Sequence, residues 1–383
     1  MTAWQVPLAD VQVPEDDIAA VVETYRSGWL SMGPRTQALE AAFAEYTGAR
    51  HAFGVANGTA ALHLICMAAE LGPGDEVVVP SMTFVASVNA IAYTGATPVF
   101  AEIAGLTEPW LAADAVNAAV TSRTKAIMTV AYGGHPGETA ALKALADRRG
   151  MLLLEDAAHA AGARSGGRHL GTIGAAGAFS FFSNKNLAVG EGGAVTTDDD
   201  DLAERLRLLR SHGMTTLTWD RHRGHASTYD VVALGFNYRI DEPRAALATQ
   251  RLQRLDEENR RRHRLDARYR ERLAGVEGVE PTQAPPTGDG EVPSHHLFTV
   301  VLDPEFDRDA LRQRLAEQGI QTSLHYPAAH RFSIYADSGA ELPLTDAYSA
   351  RAVTLPLFAH MTDEQLDLVV QAVAEAVPAT ARA

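Results

Sequence analysis

The chain has 383 residues, 46% hydrophobic and 21% charged, a globular composition that excludes disorder throughout and, at roughly 150 residues per domain, allows two to three units. Acidic residues outnumber basic ones 48 to 33, and the formal net charge of −15 repels phosphate backbones and anionic bilayers, which excludes nucleic acid as a partner. The single cysteine, Cys66, excludes an internal disulfide framework and a cysteine-built zinc site, and it fits a reducing compartment, by default the cytoplasm.

In chain order, the pattern predicts a helix over 34–46, a short apolar stretch at 52–56 and a helix over 59–71. Buried strands follow at 76–79, stopped by Pro80, at 126–131 before the Gly133-Gly134 break, and at 151–154, which ends abruptly in Glu155-Asp156. Further strands are expected at 178–182 and 194–197, a helix over 201–209, and one long helix over 243–273 ending near Gly275. Apolar β-branched runs alternating with helical patterns give an α/β fold, a mostly parallel central sheet with helices on both faces. Such sheets bind ligands beyond the carboxyl ends of their strands, which puts Asp156 where a site is expected.

Residues 281–293 hold four prolines and two glycines and read as a surface loop or linker. Periodic segments at 296–302, 310–318 and 363–376 then suggest a smaller C-terminal α+β domain, with the division at 1–250 and 251–383. The first residues lack a basic segment followed by an apolar one, and no apolar run reaches about 18 residues, so neither export nor a membrane span is expected.

Three segments carry chemistry. Asn57-Gly58-Thr59 precedes a helical pattern, and a helix amino end offers free N–H groups and a positive dipole that suit a phosphate; an ordinary N-cap explains the same residues. Asp156 at its strand end can hold a buried cation protonated, or simply cap a helix. Lys185 follows the aromatic run Phe179-Ser180-Phe181-Phe182 and precedes Gly190-Glu191-Gly192-Gly193, a setting that desolvates the amine and frees it for Schiff-base chemistry. The glycines match neither a triphosphate-binding loop nor a dinucleotide fingerprint. A phosphate cradle, a carboxylate for a ring nitrogen and a Schiff-base lysine are together what pyridoxal 5'-phosphate requires.

With these residues in place the chain resembles the DegT/DnrJ/EryC1/StrS family of sugar aminotransferases nearly end to end. The match includes Gly58-Thr59-Ala60-Ala61-Leu62-His63, Pro80-Ser81-Met82-Thr83-Phe84, Glu155-Asp156-Ala157-Ala158-His159, Lys185-Asn186, Gly235-Phe236-Asn237-Tyr238-Arg239 and His325-Tyr326-Pro327. The resemblance implies the aspartate-aminotransferase-like fold, pyridoxal phosphate fold type I. It implies that Lys185 bonds the cofactor and that Asp156 binds its ring nitrogen. Gly58, Thr59 and Ser180 hold the phosphate, with Asn237 reaching it from the neighbouring subunit of a homodimer. Phe84 stacks on the ring, and His159, standing where glutamine is common, bonds the ring hydroxyl. Arg239, His325 and Tyr326 are candidates for the acceptor pocket.

The implied reaction moves an amino group, with L-glutamate as donor, to a keto-sugar carried on a nucleoside diphosphate and oxidised at carbon 3 or 4, by ping-pong kinetics. A segment at 218–225 resembles one in members that aminate carbon 4. A keto-cyclitol aminotransferase shares every cofactor residue and differs only in acceptor. A non-catalytic regulator on this fold is expected to lack Lys185 or Asp156, and the dehydratase branch carries histidine in place of the lysine. The arginine-rich stretch 260–264 follows three acidic residues and reads as a solvated helix face, opposite the buried face of Leu252, Leu255, Leu265, Tyr269 and Leu273. His295, His296, His325 and His330 have no metal-ligand spacing, so no metal is expected. Cys66 reads as a small core residue, which removes the nucleophile a cysteine desulfurase needs.

Overall fold

The structure, a computed structural model, describes residues 4–216, 219, 228–286 and 288–381. Its strands are β1 (His51–Val55), β2 (Glu76–Pro80), β3 (Thr97–Ala101), β4 (Thr124–Val130), β5 (Leu152–Asp156), the short hairpin β6 (Arg164–Ser165) and β7 (Arg168–His169), β8 (Ala176–Ser180), β9 (Gly193–Thr197), β10 (Val279–Pro281), β11 (Phe298–Leu302) and β12 (Ala352–Leu355). The helices are α1 (Glu15–Arg26), α2 (Pro34–Thr47), α3 (Gly58–Ala68), α4 (Val85–Tyr93), α5 (Ala113–Ala119), α6 (Thr139–Arg149), α7 (Asp200–Leu209), α8 (Glu242–Leu252), α9 (Leu255–Leu273), α10 (Arg308–Glu317), α11 (Pro343–Arg351) and α12 (Asp363–Ala376).

Seven strands form one sheet in the order β1-β9-β8-β5-β4-β2-β3. Pairings from β8 through β5, β4 and β2 to β3 are parallel, and β9 runs against both its neighbours. Both faces are covered. Val77 and Val79 pack with Leu64 of α3 and Ile91 of α4, whereas Val78 between them packs with Leu142 and Leu145 of α6. Burial on both sides explains why these strands read as unbroken apolar runs rather than as alternation. The expected α/β class with a mostly parallel sheet is the observed one.

A second, antiparallel sheet in the order β10-β11-β12 carries α9, α10 and α12 over its own core, which includes Leu265, Phe298, Leu315, Val353 and Val369. That core also takes Val6, whose backbone bridges Ile320. The amino end therefore packs with the carboxyl-terminal third.

Two expectations about helices change. The long helix over 243–273 is two, interrupted at Gln253–Arg254 without a proline or glycine. Beside the break, Arg251 and Arg254 both turn their guanidinium groups onto the fully buried Asp17 of α1, at 2.7 and 2.7–2.8 Å. Within the arginine run, Arg260 and Arg261 pair with Glu257 in solvent, but Arg262 is buried and donates to the Leu357 carbonyl, so that position does not belong to a solvated face. Past Pro281, which ends β10, the described residues of the proline-rich stretch form a loop pinned to the main unit. Gln283 N–H donates to the Thr107 carbonyl and its amide to the Tyr132 carbonyl, while Val292 and Arg164 exchange backbone bonds.

Long-range capping completes the frame. Gly33 cannot cap α2, and Glu242 of α8 does so instead, its carboxylate accepting from the Gly33, Arg35 and Thr36 N–H groups at 2.7–2.8 Å. Cys66 is fully buried, and burial pushes its thiol up.

Candidate active site

The carboxyl ends of β5 and β8 and the amino end of α3 converge on a cavity of about 460 Å³. Its lining includes Gly58, Thr59, Phe84, Asp156, His159, Ser180, Lys185, His325 and Tyr326. The sequence placed these residues far apart, and the parallel sheet gathers them because its strands end on the same edge.

At the α3 end, Asn57 accepts from Ala60 N–H at 2.8 Å, so its side chain serves the helix as a cap. The Gly58 and Thr59 N–H groups precede the first intrahelical bond, and Gly58 lies against Ser180 at the end of β8. Gly58 is required there: a Cβ would stand 2.8 Å from Ser180 Cβ and 3.1 Å from its Oγ. Helix dipole, N–H groups and the Ser180 hydroxyl together make an anion cradle that a larger residue would fill.

Asp156 closes β5. Ser87 Oγ donates to its Oδ2 at 2.6 Å and Ala158 N–H to its Oδ1 at 3.1 Å. Burial raises its carboxyl above the ordinary value; Ser87, Ala158 N–H and the Lys185 charge oppose that rise. The preceding Glu155 points to the other face, where it accepts from the Gly171, Ile173 and Gly174 N–H groups and has a structural role. Desolvation pushes the Lys185 amine down to about 8, with Asp156 pulling it back up.

Phe84 is 56% exposed while lining the cavity, and its ring meets that of Tyr326 at 5.8 Å between centroids. An aromatic face kept open at a concave site is a stacking platform. His159 has both nitrogens engaged: Gly133 N–H donates to Nδ1 at 3.2 Å, so Nε2 carries the proton toward Tyr326 Oη at 3.0 Å. Burial holds it well below the usual imidazole range. The hydroxyl proton of Tyr326 is left as the donor on this side of the cavity. His325 lines the same wall, bonds Thr354 Oγ1 at 2.9 Å and is pushed by burial down to about 4.

Asn237 and Arg239 do not line this cavity. Asn237 is exposed, its backbone bridging Ser211, and Arg239 donates to Ser211 Oγ at 3.1 Å. The segment 218–225, Trp219 apart, lies outside the described residues. The four histidines weighed as metal ligands have separate partners: His295 faces Asp266, His296 Asn186, His325 Thr354 and His330 Ser81. Sequence reasoning missed Ser87. Its one signal is position, a hydroxyl three residues after Phe84 on a largely apolar helix.

A phosphate cradle, a buried carboxylate held by neutral donors, an open aromatic face and a desolvated lysine fit pyridoxal phosphate, and the fold with this site defines a fold type I aminotransferase. The model of the DegT/DnrJ/EryC1/StrS aminotransferase family matches residues 11–374. The chain belongs to that family and is a pyridoxal-phosphate-dependent sugar aminotransferase. Among solved structures it is similar to the aminotransferase TlmJ from Streptoalloteichus hindustanus, at 35% identity and TM-score 0.90 over 98% of this chain and 99% of that one. It is also similar to S. venezuelae DesV, solved in complex with a ketimine intermediate, at 39% identity and TM-score 0.88 over 97% and 98%. A third, the putative sugar aminotransferase Spr1654 from Streptococcus pneumoniae in its PLP form, shares 27% identity at TM-score 0.91 over 98% and 100%.

Proposed function

We propose that the enzyme transfers the amino group of L-glutamate to a keto-sugar linked to a nucleoside diphosphate, oxidised at carbon 3 or 4, in two half-reactions at one site. The observation that carries this reading is the convergence of Lys185, Asp156 and the α3 amino end on one cavity. When bound, pyridoxal phosphate supplies an aldehyde that condenses with amines and a ring that takes up the electrons released as a C–H bond breaks.

Gly58, Thr59 and Ser180 bind the phosphate and fix the register of the ring. Asp156, anionic opposite a protonated ring nitrogen, regains the counter-charge that burial denies it. Phe84 packs one ring face. Lys185 Nζ, with its affinity for protons lowered toward neutrality, takes the proton from the donor's α-carbon and would return it to the cofactor's exocyclic carbon, two bonds away. Tyr326 and His325 border the acceptor side.

Asn237 completes the phosphate site of a second protomer in a two-fold dimer. Its exposure outside its own cavity supports this, as do the neighbouring exposed Val231, Val232 and Leu234, the last 92% accessible. Mixing Lys185→Ala with Asn237→Ala chains then restores activity that neither has alone. The acceptor is tested by loading the enzyme with the cofactor in its amine form and offering candidate ketones. Return of the aldehyde-form absorbance with a nucleotide-linked keto-sugar supports the reading. A response to keto-cyclitols alone refutes it.

A further inference from the structure

His296 reaches the site from a different direction than the other residues. The segment before β11 is tied to the Gly133-Gly134 turn, with Ser294 N–H donating to the Gly134 carbonyl at 3.0 Å and His296 N–H to the Gly133 carbonyl at 2.8 Å. Gly134 has φ +82°, and a Cβ there would lie 1.9 Å from Ser294 Oγ, so the approach depends on glycine. The imidazole is 5% exposed and packs on His159 with centroids 4.3 Å apart.

A chain of hydrogen bonds sets its tautomer. Asn259 donates Nδ2–H to the Ala161 carbonyl at 2.9 Å. Asn186 donates its own Nδ2–H groups to Asn259 Oδ1 and to the Ser294 carbonyl, both at 2.8 Å. Carbonyl oxygens only accept, so both amide orientations follow from the ends of the chain. Asn186 Oδ1 therefore accepts from His296 Nδ1 at 3.0 Å, and that nitrogen carries the proton. The other, Nε2, keeps its lone pair and stands 3.4 Å from Lys185 Nζ.

We propose that His296 is the positioning residue for Lys185: its Nε2 lone pair accepts an N–H from the free amine and holds that amine in place at the cavity. The proposal rests on Lys185 being the reactive amine. Lysine has a flexible four-carbon stem, and one fixed acceptor restricts the arc over which its nitrogen wanders. The ring stays neutral in this role. Burial disfavours the imidazolium, and the groups facing it, His159, Lys185, Arg262 and His325, include no anion. Lys185 itself faces Asp156.

The test is the pH dependence of Lys185 reductive methylation in the apoprotein, read by peptide mass, for wild type, His296→Phe, His296→Gln and Asn186→Leu. Wild type is half-titrated near 8. An ammonium deprived of its acceptor gives up its proton more readily, so His296→Phe lowers the midpoint by about one pH unit. His296→Gln presents an amide oxygen in the same direction and restores most of it, a rescue that packing alone does not give. Asn186→Leu, which frees the ring to turn Nε2–H toward the lysine, lowers the midpoint in the same sense and decides the matter should His296→Phe not fold. An unchanged midpoint in the folded His296→Phe variant, or equal shifts in the Phe and Gln variants, overturns the proposal. In the wild-type holoenzyme, a hydride-trapped cofactor on another lysine refutes the earlier reading of Lys185. A tag on Lys185 beside an unchanged midpoint defeats only the role of His296.

Discussion

Ser87 tests whether the aspartate works as a charge rather than as a packing group. Its hydroxyl, fully buried on α4, donates to Asp156 Oδ2 at 2.6 Å and also meets Thr83 Oγ1 at 2.7 Å. Hydrogen bonds to charged groups contribute about 1.5–3 kcal/mol, and one pKa unit corresponds to about 1.4 kcal/mol, so Ser87→Ala raises the Asp156 pKa by about one to two units. The direction is clear because burial already raises this carboxyl and Ser87 is the first of the groups that hold it down. A protonated Asp156 cannot face a protonated ring nitrogen. The acid limb of the kcat profile therefore moves to higher pH by about one to two units, and cofactor affinity, followed by fluorescence titration, falls as that limb is entered. An acid limb that stays in place in a variant with wild-type thermal unfolding refutes a role for the Asp156 charge.

Other perturbations reach separate parts of the molecule. Gly58→Ala drives a methyl group against Ser180 at 2.8 Å; overpacking of about 1–3 kcal/mol falls on the phosphate cradle, and isothermal titration should show cofactor affinity reduced at least tenfold. Asp156→Asn removes the anion that supports the Lys185 ammonium, so the methylation midpoint of the apoprotein drops below 8; a rise contradicts the assigned electrostatics. Asp17→Ala leaves Arg251 and Arg254 without their buried partner and costs about 3–5 kcal/mol in chemical denaturation. Although burial raises Asp17, the two arginines bring its folded pKa below the ordinary value. Its stabilisation is thus present above about pH 4 and lost as pH falls through the folded pKa, so the variant's deficit shrinks in acid.

Much of the main sheet is legible because its strands are buried on both faces: the run at 76–79 is β2 with Pro80 added, and the stretch at 151–154 extends through the two acidic residues that end β5. The site is legible where chemistry and position coincide, as at Asp156 and Lys185. Contacts made by folding alone are not. Nothing near Gly33 announces that its helix is capped by a glutamate 209 residues away, and nothing near Val6 announces its place in the carboxyl-terminal core. The break between α8 and α9 carries no helix-breaking residue, and Arg262 is hidden among arginines of identical local character. His296 reads as one histidine among several until Asn186 and Asn259 fix the direction of its protons.

Reduction of the holoenzyme with borohydride, followed by digestion and mass mapping, most directly tests which amine bonds the cofactor. A pyridoxyl tag on the peptide carrying Lys185, absent after Lys185→Ala, is expected. A tag on any other lysine, or none at all in an enzyme shown to hold pyridoxal phosphate, would contradict the mechanism from its first step.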